Sequence, residues 1–133
     1  MKQFTSKPLL VRYGETDQMG VVHHSNYLRY FEVARLEWLS ALGVSYASME
    51  KEGLIMPVID VKVTYKTPAL FDDSLTIYIF LSELPRVKII FFYEIKNQKD
   101  EIVCTGETTL AFLNAKTRKP VRCPEEFGAL FIT

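Results

Sequence analysis

The sequence predicts an α+β fold, in which one antiparallel sheet carries a single dominant helix on one face. Three observations predict it. Apolar residues recur at helical spacing between Asn26 and Gly43. Beyond Met56-Pro57 the apolar period changes to two. The later apolar runs are joined by short connections, which favour antiparallel neighbours.

In chain order, "PLLVRY" reads as a first strand and Gly14 to about Ser25 as a loop. "NYLRYFEVARLEWLSALG" reads as a helix, because Tyr27, Tyr30, Phe31, Ala34, Trp38, Ala41 and Leu42 form one apolar stripe. Ser25 or Asn26 can cap its first turn, and Gly43 suits its C-terminal stop. Leu28, Val33, Leu36 and Leu39 lie outside the stripe, so more than one surface is expected to bury this helix. "VIDVKVTY" alternates Val61, Val63 and Tyr65 against Asp60, Lys62 and Thr64. "SLTIYIFL" alternates Leu75, Ile77, Ile79 and Leu81 against Thr76, Tyr78 and Phe80. "RVKIIFFYEIK" is apolar on both faces and reads as a central strand. After the turn "NQKD", "EIVCTGETTLAFLNA" is the last long strand, with Gly106 expected at a bend or bulge. The tail from Lys116 carries "KTRKPVRCP".

At 133 residues and 48% hydrophobic, the chain suffices for one packed core, so residues 1–133 read as a single domain. Sixteen basic residues balance sixteen acidic ones, which argues against an electrostatically driven nucleic-acid binder and permits self-association. Apolar surface left over on sheet and helix has no partner within so short a chain, and a second copy would bury it. Cys104 and Cys123 form no CxxC and read as reduced thiols of a cytosolic protein. No apolar run approaches the roughly 20 residues of a membrane helix, and none near the start suits a signal peptide. The expectation is a cytoplasmic protein with no membrane insertion.

Chemistry-bearing residues concentrate in "RYGETDQMGVVHHSNYLRYFE", Arg12 to Glu32. Structural metal ligands are usually separated by about two to five residues, whereas His23 and His24 are adjacent and diverge in an extended chain. No metal is expected there. Asp17 lies a few residues before the helix, whose N-terminus offers unpaired N–H groups and partial positive charge. Those donors can polarise a carbonyl, and a nearby carboxylate can act as nucleophile or general base. Gly20 lets the backbone approach a substrate. On spacing alone, Asp17 could equally be a structural turn residue.

The stretch "RYGETDQMGVVHHSNYLRYFEVARLEWL" resembles the hotdog-fold acyl-CoA thioesterases, in the branch of the 4-hydroxybenzoyl-CoA and YbgC-like enzymes. The D-x-x-G-x-V pattern followed by N-Y stands here as Asp17, Gly20, Val22, His24, Asn26 and Tyr27, with Ala34-Arg35 further along the helix. "VTYKTPALFDDSLTI" resembles a second block, with Tyr65, Pro68 and Asp73, and "RKPVRCP" a terminal one. The resemblance runs from about Leu10 to Pro124. It implies a curved antiparallel sheet wrapped around one long central helix, in a homodimer or homotetramer with active sites at the subunit interface. It implies an acyl-CoA substrate and no cofactor, CoA being part of the substrate. Asp17 would be the attacking carboxylate or base, and His24 would stand where the carbonyl oxygen is held. Gly20 would leave room for the thioester, with Val22, Tyr27 and Tyr65 against the substrate. Phosphate oxygens of CoA call for basic residues. Arg86 and Lys88 form one candidate cluster; Arg118 and Lys119, with Arg122, form the other. Glu15 is expected to be a surface or turn residue, Arg35 to make an ion pair, and Tyr13, Met56 and Val58 are further candidates for the acyl pocket. A dehydratase-type activity and a non-catalytic acyl-CoA binder are the alternative functions.

Overall fold

The strands read after Met56-Pro57 belong to one sheet. In the computed structural model, which describes residues 1–133, the chain begins with β1 (Gln3–Thr5), β2 (Leu9–Leu10), a 3-10 turn at Tyr13–Glu15 and helix α1 (Asn26–Ala41). Helix α2 (Tyr46–Lys51), β3 (Leu54–Ile55), β4 (Val58–Tyr65) and β5 (Ser74–Phe80) follow. The chain then adds β6 (Lys88–Lys96), β7 (Ile102–Ala111), β8 (Leu113–Asn114) and helix α3 (Glu125–Ala129). The main sheet has the order β1-β5-β6-β7-β4, wholly antiparallel, with β2 beside the start of β5. β3 and β8 pair separately.

The doubly apolar β6 does take a central place, and its Ile89, Phe91, Tyr93 and Ile95 point to the core with Leu75, Ile77, Ile79 and Leu81. α1 lies over this face. Phe31 stacks on Tyr93 at 4.2 Å, and Trp38 meets Phe91 edge-on at 6.1 Å. The helix stops as its glycine predicts: Gly43 adopts φ +85°, and the Val44 and Gly43 N–H groups donate to the Leu39 and Ser40 carbonyls, a Schellman closure. The stripe shifts near this end, so Leu39 is buried and Ala41 exposed. Leu28, Val33 and Leu36 stay exposed in the single chain.

Four details differ from expectation. The first strand is shorter than "PLLVRY": it covers Leu9–Leu10, with Val11 still hydrogen-bonded to Asp72 and Asp73, before Arg12 and Glu15 close the chain into the 3-10 turn. Gly106 is neither a bend nor a bulge. The ladder runs through it, to Tyr93 on one side and Val63 on the other, and the irregularities fall at Val58/Asp60 and Ile95/Lys96. A Cβ at Gly106 would lie 2.6 Å from the Phe31 ring, so the glycine is needed for close helix approach. Arg35 makes no ion pair; buried between helix and sheet, it donates to the Tyr93 hydroxyl at 3.0 Å, which is 2.6 Å from Thr108 Oγ1. The tail folds back through α3, placing Phe127 and Phe131 in the core, with Phe131 5.1 Å from Trp38. No helix is long and apolar enough to cross a membrane.

Candidate active site

The loop before α1 is organised by Glu15. Its carboxylate accepts the Arg12 N–H at 2.9 Å and the Tyr30 hydroxyl at 2.9 Å on Oε1, and the Arg12 guanidinium at 3.2 Å on Oε2. Its carbonyl accepts the His23 N–H at 2.8 Å and Asn26 Nδ2 at 2.9 Å. Glu15 is thus the expected turn residue, closing the 3-10 turn, but its side chain is only 13% exposed and ties the loop's two ends together. Partial burial acts to raise its pKa, but the Arg12 N–H, the Tyr30 hydroxyl and the Arg12 guanidinium outweigh it and hold the carboxyl below its ordinary value. Burial, with the Glu15 hydrogen bond, pushes the Tyr30 hydroxyl well up, so it remains a donor.

Between those ends the loop doubles back. Thr16 bridges Val22, Val21 bridges Leu70, and the Val22 N–H donates to the Ala69 carbonyl at 2.8 Å. This docks the loop on the segment that leaves β4. Asp17 heads the turn: its carbonyl accepts the Gly20 N–H at 3.0 Å, and its Oδ1 accepts the Met19 and Val21 N–H groups at 2.8 and 3.4 Å. Oδ2 receives no hydrogen bond from the protein. Gly20 closes this turn at φ +80°, a left-handed conformation that side chains resist.

The histidine rings do not diverge. They lie 4.1 Å apart at 30°, because the chain is already turning into the helix, with the Asn26 N–H on the His23 carbonyl. His23 Nδ1 accepts the Ser25 N–H at 3.2 Å and lies 2.8 Å from Ser25 Oγ. Ser25 is thus engaged with His23 and Asn26 with Glu15, and neither side chain caps α1. The His24 N–H donates to no protein acceptor.

Asp17, Val22, His24, Tyr27 and Tyr65 line one cavity of about 250 Å³. Tyr27 and Tyr65 form its aromatic wall, with ring centroids 5.4 Å apart. Gly20 shapes the turn beneath this cavity without lining it. Met19, Val21, Lys66, Thr67 and Pro68 complete the lining, and Lys66 is its one lysine or arginine. Lys66 follows Tyr65 in the quoted second block, so its place beside a site residue was the available signal. Tyr13 instead packs edge-on against Phe71, and Met56 is buried behind Tyr46.

The basic candidates lie elsewhere on the chain. Lys88 pairs with Ala111 of β7, seven residues from Cys104, which pairs with Tyr65. That is about 23 Å at roughly 3.3 Å per residue. Arg86 lines a cavity with Arg122 at this far end, and Arg118 and Lys119 occupy the tight turn after β8.

The sequence model of the Thioesterase-like superfamily matches residues 11–131, nearly the whole chain and all of the site. The protein belongs to this superfamily. Among relatives of this thioesterase-like chain is the acyl-CoA thioesterase YbgC of Haemophilus influenzae, 32% identical over 128 residues that cover 95% of this chain and 93% of that one. Among solved structures it is similar to the DHNA-CoA thioesterase of Staphylococcus aureus, with a TM-score of 0.86 and 41% identity over 92% of this chain and 81% of that one. A 1,4-dihydroxy-2-naphthoyl-CoA thioesterase from Synechocystis shares the fold, with a TM-score of 0.90 at 20% identity over 98% and 96% of the two chains. The fold is the hotdog fold: an antiparallel sheet with α1 as its filling.

Proposed function

We propose that the protein is an acyl-CoA thioesterase, converting R–CO–S–CoA and water to a free acid and CoA, with Asp17 and the start of α1 as its catalytic parts. One observation carries this reading. The two oxygens of Asp17 differ: Oδ1 is held by two backbone N–H groups, while Oδ2 is unengaged, in a residue that shares its cavity with His24. A carboxylate held by one oxygen is oriented yet keeps a reactive atom. Direct attack on the carbonyl carbon and proton removal from an attacking water both use that atom. The unpaired His24 N–H, at the positive end of the α1 dipole, suits the oxygen that gains charge as the carbonyl becomes tetrahedral. Collapse of that intermediate breaks the C–S bond. On the water route the acid is released and the sulfur leaves with the proton Asp17 took from water. After direct attack, water cleaves the acyl–Asp17 anhydride, freeing the acid and Asp17 and supplying the proton to the thiolate. Water and a carboxylate suffice, so no metal or resident cofactor is needed.

The acyl group would lie against Val22, Tyr27 and Tyr65. The CoA phosphates require charge that one chain concentrates at the wrong end of its sheet. β4 is an edge strand, paired on one side only. Two-fold pairing of β4 with a second copy sets the Val58 end of one strand beside the Tyr65 end of the other. Arg86, Lys88, Arg118 and Lys119 of one copy would then approach the Asp17 cavity of the other. The reading is therefore a homo-oligomer, at least a dimer, with sites at the subunit interface. Two free thiols, Cys104 buried and Cys123 half-buried, fit a cytoplasmic enzyme.

The test is Asp17→Asn, which keeps the shape and removes the charge. Thiol release from a panel of aliphatic and aromatic acyl-CoAs should fall about 10²- to 10⁴-fold in kcat. A folded variant with wild-type turnover on every active thioester would overturn the mechanism.

A further inference from the structure

We infer that Glu15 is a positioning residue, the clamp that holds Asp17 and the His24 N–H toward a common substrate. The inference rests on the thioesterase reading above. Glu15 touches neither the cavity nor the reacting atoms. It acts through both of its halves. The carboxylate grips the chain before the loop, at the Arg12 N–H, and the second turn of α1, at the Tyr30 hydroxyl. The carbonyl grips the loop's return, at the His23 N–H and the Asn26 side chain. Asp17 and His24 are thus both suspended from one residue. The α1 entrance has no side-chain cap of its own, so these bonds take over the task of fixing where the helix begins. Reacting groups displaced by about 1 Å can lose on the order of 10²-fold in rate. The clamp should therefore register in turnover far more than in binding.

Three variants and two readouts test this. Steady-state thiol release gives kcat and KM, and amide hydrogen exchange reports the Glu15-bonded His23 N–H and the Asp17-bonded Met19 N–H. Glu15→Ala should lower kcat about 10- to 100-fold while KM stays within about 3-fold, and should speed exchange at both amides. Glu15→Gln retains an acceptor of the same length for the Arg12 N–H and should restore most of kcat and of the protection. Tyr30→Phe should lower kcat alone but add nothing in the Glu15→Ala background, because both changes cut the same tie. If Glu15→Ala does not fold, Tyr30→Phe decides: it should lower kcat and speed exchange at both amides in the wild-type and Glu15→Gln backgrounds alike, and unchanged turnover in both would overturn the inference.

The inference is overturned by turnover within about 2-fold of wild type in folded Glu15→Ala. It is equally overturned by lost turnover with unchanged exchange at His23 and Met19, which would make Glu15 a chemical participant. Should the wild-type protein release thiol from no acyl-CoA, the functional reading falls by itself. The exchange comparison then still decides whether Glu15 holds the loop.

Discussion

In β5, Leu75, Ile77 and Ile79 are each fully covered, and the residues between them are partly exposed. In β4, Val58, Ile59, Val61 and Tyr65 are 43%, 51%, 39% and 53% exposed, although the strand from Asp60 onward alternates in the same way. The two strands differ in place. β5 lies within the sheet, between β1 and β6, whereas β4 ends it. Alternation records which face a strand buries in its working form. For β5 that form is complete within one chain; for β4 one chain leaves the apolar side open, the side a second copy would cover in the proposed assembly. The exposed Leu28, Val33 and Leu36 of α1 belong with β4 in this respect.

That contrast can be broken at three points, in order of expected effect. Ile77→Ala empties a fully covered site and should cost about 2–5 kcal/mol, read as a lower urea midpoint. Val61→Lys places a charge on the exposed apolar side of β4. It should cost the folded chain little but shift light-scattering mass toward the monomer and reduce thioester turnover with it. An unchanged mass would separate the open edge from assembly. Lys62→Ala alters the opposite, outward face of β4 and should stay within about 0.5 kcal/mol of the parent stability, with mass and turnover unaltered.

What was legible in the sequence follows the same division between local and distant causes. The α1 stripe from Tyr27 to Trp38, the Gly43 stop and the central place of β6 rest on periodicity and backbone preference within a few residues, and they stand; the stripe departs only in the last turn, at Leu39 and Ala41. Gly106 was visible as a glycine in a strand, but its reason is the Phe31 ring from a helix 75 positions away in the chain. α3 escaped notice because its tail has no sustained period; Phe127 and Phe131, four residues apart, were its one helical sign. In the loop, family resemblance singled out Asp17 and His24. Spacing could not expose the Glu15–Tyr30 bond, which joins residues fifteen positions apart across the start of a helix. The basic clusters were legible as charge but not as location: strand register sets them at the other end of the sheet from Asp17.

The contact between Gly106 and Phe31 bears on more than packing. Phe31 sits a turn and a half along α1 from Asn26, on the half of the helix that leads to the site. A single methyl at position 106 would work as a shim under that half. With Trp38 anchored among Phe4, Phe91 and Phe131, the helix would pivot about its far end. Its mouth would rise from the sheet together with the His24 N–H. The bare backbone at Gly106 thus acts as a height gauge for the start of α1, set from the sheet directly beneath the helix.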